Sequence, residues 1–96
     1  MDNLFVVSYD ISDQKRWRRV HRMMKGFGDA LQYSVFACRL TDQGLVRMKT
    51  ALEELIDAGV DRVMIVNIGP ADGMATDRVT FLGRKEELPE RKATIV

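Results

Sequence analysis

The 96 residues hold a single cysteine, Cys38, which excludes intrachain disulfides and any zinc centre built from several cysteines. Long apolar runs are also missing. A membrane span needs ~18 consecutive apolar residues, and the longest stretches here, residues 4–7 and 63–66, are strand-sized. The N-terminus carries Asp2 and lacks a basic segment followed by an apolar one, so no secretory signal is read and a cytoplasmic location is expected. Excess charge of one sign is absent too: the formal net charge is +1. Proline is scarce, with two residues, and neither a repeat nor a linker interrupts the chain. What remains is 46% hydrophobic and 30% charged, the composition of one globular domain covering residues 1–96.

Charge distribution says more than its total. Residues 1–48 carry eight Lys/Arg against five Asp/Glu, whereas residues 49–96 carry seven against nine. Most of the positive half falls in one cluster: Lys15, Arg16, Arg18, Arg19, Arg22 and Lys25. A local field of this kind attracts polyanions whatever the total charge.

Residues 4–11 (LFVVSYDI) are β-rich and predict a first strand. Ser12 or Asp13 then offers a side-chain oxygen to cap a helix. Trp17, Val20, Met24 and Phe27 recur at helical spacing, and Gly26 and Gly28 supply the stop. Residues 32–40 read as a second strand. Thr41 or Asp42 caps a second helix with Leu45, Met48, Leu52 and Leu55 on its apolar face and Gly59 at its end. Residues 62–68 form a third strand closed by Gly69-Pro70, residues 79–82 a short fourth, and residues 93–96 a last one. This order becomes βαββαβ if one strand is hidden, and a bent nine-residue second strand would provide it. The expected fold is therefore a ferredoxin-like α/β sandwich with an extra C-terminal strand.

The first and third strands carry apolar residues on both faces, and such strands need both faces covered. Two helices cover one face. A second copy of the chain is the simplest cover for the other, which predicts a two-fold homodimer packed sheet to sheet.

Asp10 ends the first strand beside Tyr9, where a carboxylate can face a cleft, and its alternation groups it with Val6 and Ser8. Across a two-fold axis, two copies of Asp10 would converge and repel unless a divalent cation lay between them. Magnesium suits such a place, because it takes one or two carboxylates and completes its shell with water and phosphate oxygens. The alternative role of Asp10 is helix capping. Lys15, Arg18, Arg22 and Lys25 follow one helix stripe, widened by Arg16 and Arg19, that would bind a phosphate backbone with little sequence preference; the alternative is a solvated face. His21 and Cys38 have no partners at catalytic or metal-binding spacing and read as packing residues. Trp17 and Phe36 are able to stack on bases, but their spacing fits the core.

Tyr9-Asp10-Ile11-Ser12-Asp13, the Arg-rich helix, Gly26-Phe27-Gly28 and Gln32-Tyr33-Ser34-Val35-Phe36-Ala37-Cys38 together resemble the small CRISPR-associated adaptation protein family, the second near-universal Cas protein, known as an endoribonuclease. The resemblance implies a ferredoxin-like homodimer in which the C-terminal strand, within residues 84–96, pairs with the sheet of the partner subunit. It also implies a magnesium ion between the two copies of Asp10, and roles in nucleic-acid cleavage or binding for Tyr9, Arg19 and Phe36. The implied function is acquisition of new CRISPR spacers, with the dimer bridging two dimers of the CRISPR integrase along captured DNA. Some relatives cut single-stranded RNA or double-stranded DNA, and others act as scaffold. The chain departs from the family pattern at Ala30, where many relatives have Arg, and at Ala37, where many are acidic.

Overall fold

A computed structural model describes residues 1–84. Its elements run β1 (Asn3–Asp10), α1 (Gln14–Met24), β2 (Asp29–Gln32), β3 (Val35–Leu40), α2 (Asp42–Leu55) and β4 (Arg62–Pro70), followed by a 3₁₀ turn (Gly73–Arg78). The strands form one antiparallel sheet in the order β2-β3-β1-β4, which is the ferredoxin-like arrangement.

The hidden strand exists, but not where a bend in residues 32–40 would put it. It is β2, which ends at Gln32, and Tyr33 and Ser34 form the turn into β3. The Ser34 carbonyl accepts from the Tyr9 amide at 3.0 Å, fastening this turn to the end of β1. The sequence offers little sign of β2 because its four residues, Asp-Ala-Leu-Gln, are weak strand formers. Pairing with β3 decides their state instead. A Cβ at Gly28 would lie 2.3 Å from the Ala37 carbonyl oxygen, so only glycine lets the chain enter β2 so close to β3.

Both helices start where a side chain caps them. Asp13 accepts from the Arg16 amide at 2.9 Å, and Thr41 accepts from the Gly44 amide at 3.0 Å. α2 stops at Leu55 rather than at Gly59, because Ile56 turns to extended backbone and the Asp61 carboxylate accepts from the Asp57 amide at 2.8 Å. The third strand runs on to Pro70, two residues past the expected end. Gly69 within it has φ +103°, a conformation open to glycine at little cost.

The main core lies between the sheet and the two helices. Phe5, Val7 and Tyr9 of β1 meet Val20 and Met24 of α1, Phe36, Cys38 and Leu40 of β3, and Met48 and Leu52 of α2. Full burial of such side chains is worth roughly 1.5–3 kcal/mol each.

The other face of the sheet corrects the expectation that a second copy must cover all of it. Leu4 and Ala37 are fully buried there beneath Ala71 and Ala75, with Val79 and Phe81 packed alongside. Among the described residues, those after β4 thus cover part of this face. Residues 79–82 serve as that cover and are not a strand. At the opposite end of the face, Met64 and Val66 of β4 remain exposed. The expected last strand and the partner-pairing tail fall beyond residue 84, outside the described residues.

Candidate nucleic-acid and metal site

Asp10 occupies the last position of β1, where its register partner on β4 is Arg62. Antiparallel partners share a face, and the Arg62 guanidinium accordingly donates to Asp10 Oδ2 at 3.3 Å. Both side chains are largely exposed, 85% for Arg62 and 76% for Asp10. An ion pair in that setting contributes about 0–1 kcal/mol, so either partner is free to exchange it for a ligand. With Ser8, Val63 and Met64 the pair lines a shallow depression of about 430 Å³ on the uncovered end of the sheet.

The shoulders of this site are held rigidly. Asp61, which precedes Arg62, is enclosed, and its carboxylate accepts from four groups. They are the Ser12 amide at 3.1 Å, the Ser12 hydroxyl at 3.3 Å, the Asp57 amide, and the forked guanidinium of Arg16, whose Nη2 lies at 3.0 Å. The hydrogen bonds from Arg16, together with those from the two amides, hold this carboxyl far below the usual range despite its burial. The loop after Asp10 is thereby tied to the residue before Arg62. Asp61 received no role from the sequence, since an acid in a short loop has no pattern; only the tertiary contact with Arg16, 45 positions away, reveals it.

The sequence-derived residues separate into three groups. Asp10 stands alone on the open face. Tyr9 and Phe36 stand on the helix side, ring centroids 6.2 Å apart, with Tyr9 nearly buried and Phe36 wholly so. Alternation along β1 sends neighbours 9 and 10 to opposite faces. The Tyr9 hydroxyl lies 2.8 Å from His21 Nδ1. Burial pushes the Tyr9 pKa up to about 12 and lowers that of His21, so desolvation opposes charge on both partners of this contact. The third group is the basic helix. Lys15, Arg18, Arg19, Arg22 and Lys25 are exposed along α1 and its C-cap, whereas Arg16 is turned to Asp61. Cys38 is buried and its thiol is pushed up to about 12 by desolvation.

Among the described residues of a single chain, one carboxylate, that of Asp10, lines this site. Among the described residues no three His, Cys, Asp or Glu side chains cluster to hold a metal. The donor chemistry of Asp10 fits magnesium when a second carboxylate is added, and a second copy of the same face would add it.

Comparison with known proteins places these features in a family. The family model for CRISPR associated protein Cas2 matches residues 3–73. The "CRISPR-associated endoribonuclease Cas2" of Geobacter sulfurreducens is 41% identical over 96 residues, all of both chains. The "CRISPR-associated endoribonuclease Cas2 1" of Rhodospirillum rubrum is 43% identical over 95 residues, 99% of this chain and 92% of its own. Among solved structures, a hypothetical protein from Thermus thermophilus superposes with a TM-score of 0.80 at 27% identity, covering 92% of this chain and 99% of its own. Streptococcus pyogenes Cas2 superposes with a TM-score of 0.73 at 29% identity, covering 83% and 99%. With the whole length matched in sequence and the ferredoxin-like sheet matched in space, the chain belongs to the Cas2 family of CRISPR-associated proteins.

Proposed function

We propose that this chain acts in CRISPR adaptation as a homodimeric, magnesium-dependent endonuclease that hydrolyses phosphodiesters of RNA or DNA and works with the CRISPR integrase in spacer acquisition. The observation that carries the reading is the placement of Asp10: an exposed carboxylate on the uncovered end of the sheet, within reach of a mobile-charge partner, Arg62. The endoribonuclease names of the relatives support the nuclease class.

Met64 and Val66 flank the site on the same face and would be buried by a second copy, which supports a sheet-to-sheet dimer. Asp10 and its copy would then hold magnesium, which when bound supplies charge neutralisation at the phosphate and an acidified water. Arg62 is able to leave Asp10 for a phosphate oxygen. Lys15, Arg18, Arg19 and Arg22 hold the phosphates of the flanking strand. Tyr9 and Phe36 act from behind the sheet, by fixing the strand end that presents Asp10.

The test is cleavage of RNA and DNA by wild type and Asp10→Asn across magnesium concentrations, with light scattering to follow the dimer. The expected result is loss of cutting by an intact dimer. Equal cutting by both proteins overturns the assignment of Asp10 and points to a contaminant or a different site, and no cutting by wild type overturns the nuclease reading.

A second reading, a non-catalytic dimeric scaffold bridging integrase dimers, is favoured by the exposed cations of α1 and by the lone carboxylate that the described residues bring to the site. Under it, Arg18, Arg19 and Arg22 changed to Glu abolish DNA association, while Asp10→Asn leaves spacer acquisition intact.

A further inference from the structure

Three aromatic rings form a continuous stack beside α1. Tyr33, in the turn between β2 and β3, lies on Trp17 with centroids 4.3 Å apart and planes 11° from parallel. Trp17 lies in turn on His21 at 4.5 Å and 16°. The inner rings are fixed by polar contacts as well as packing. Trp17 Nε1 donates to Ser34 Oγ at 2.8 Å, His21 is held by the Tyr9 hydroxyl, and Phe36 meets the His21 ring edge-on at 5.3 Å.

The stack ends in solvent. Trp17 and His21 are half-buried, but Tyr33 is 68% exposed. A lone exposed tyrosine is ordinary. This one is different because one of its faces is already seated on a rigid column, so a ring added to the other face need not first order the side chain. Cations border the column. Arg18 and Lys25 stand three residues before and four residues after His21 on the helix, spacings that make them surface neighbours of its ring, and Arg22 stands four after Arg18; all three cations are exposed.

An aromatic plate edged by cations matches one chemistry: a flat, electron-rich base attached to phosphates. Inside a duplex both faces of each base are already occupied by neighbours, so only an unpaired base has a face to offer. We propose that Tyr33 is the outer plate of a stacking platform for an unpaired nucleobase, with Arg18, Arg22 and Lys25 holding the adjacent phosphates, so that single strands and frayed ends bind here in preference to intact duplex. The inference rests on the nucleic-acid reading above and adds to it the strandedness of the ligand.

The experiment measures anisotropy of a short labelled oligodeoxyadenylate and of the same strand in a blunt duplex, with full-length wild type, Tyr33→Ala, Tyr33→Phe and an Arg18→Ala/Arg22→Ala pair. Emission of the only tryptophan, Trp17, gives a second readout of stacking on its neighbour. Tyr33→Ala is expected to weaken single-strand binding by roughly 5- to 100-fold, the range of one base–aromatic stack. It should leave duplex binding and the salt slope unchanged, since the phosphate contacts remain. Tyr33→Phe, which keeps the ring, should bind as wild type. Unchanged single-strand binding by Tyr33→Ala, alongside weakened binding by the arginine pair, overturns the platform and leaves the nucleic-acid reading standing. No binding of either ligand by wild type overturns both.

Discussion

On the helix side of the sheet, Phe5, Val7, Tyr9 and Phe36 are enclosed by two helices, and each has its neighbours fixed by the chain itself. On the opposite side, Leu4 and Ala37 are enclosed by residues 71–81, but Asp10, Arg62, Met64 and Val66 are left to solvent. Among the described residues, the same four strands therefore present one finished surface and one partly covered surface. A side chain on the first acts by packing, so its loss is read in stability. One on the second is read in binding and turnover, because little of the fold depends on it. Tyr9 and Asp10, adjacent in sequence and opposite in direction, divide along this line.

Substitutions should separate the two surfaces sharply. The largest effect is expected from Phe36→Ala, which empties a fully buried ring site and should destabilise by about 3–5 kcal/mol in urea unfolding. Phe36→Leu should recover most of that and retain nucleic-acid binding; a folded Phe36→Leu protein that has lost binding would show that the ring acts beyond the core. Next comes Asp61→Asn, which strips the charge from the knot joining Ser12, Arg16 and Asp57. The native carboxyl is depressed below its unfolded value of about 3.9, so its contribution is complete above that pH and fades as the pH falls further towards the folded pKa. Thermal melts of wild type should fall steeply below about pH 4, and Asp61→Asn should start lower at neutral pH and fall less on acidification.

Tyr9 tests the finished surface at the alkaline end. Its pKa is raised from 10.0 to about 12, so the phenol stabilises the fold below pH 10 and loses that contribution as the pH rises towards 12. Tyr9→Phe should flatten this alkaline loss in pH-dependent unfolding. The smallest change in stability is expected at the open end. Asp10→Asn removes an exposed pair and should shift unfolding by less than about 1 kcal/mol, and Met64→Lys with Val66→Lys should leave the monomer folded while abolishing the dimer in sedimentation. A large stability loss in Asp10→Asn would mean that the open end is finished after all.

The sequence carried most of the architecture. Both helix caps lie at residues whose short oxygen-bearing side chains reach a free amide, and the apolar spacing of Trp17, Val20 and Met24 marks the face that α1 buries. Two-residue alternation alone puts Asp10 on the face of the sheet opposite Tyr9. Other features depend on partners distant along the chain, and local pattern is silent about those. β2 is a strand because β3 lies beside it, and Gly28 is required by a carbonyl nine residues on. Arg16 belongs to the basic cluster by position but faces Asp61 across the fold, and Tyr33 becomes a presented plate only because Trp17 lies behind it. Periodicity, capping and composition are local quantities, so the order of residues fixes them directly. Which charge is neutralised, which ring is backed and which part of a face stays bare are pairwise quantities, and these were decided only when the chain closed on itself.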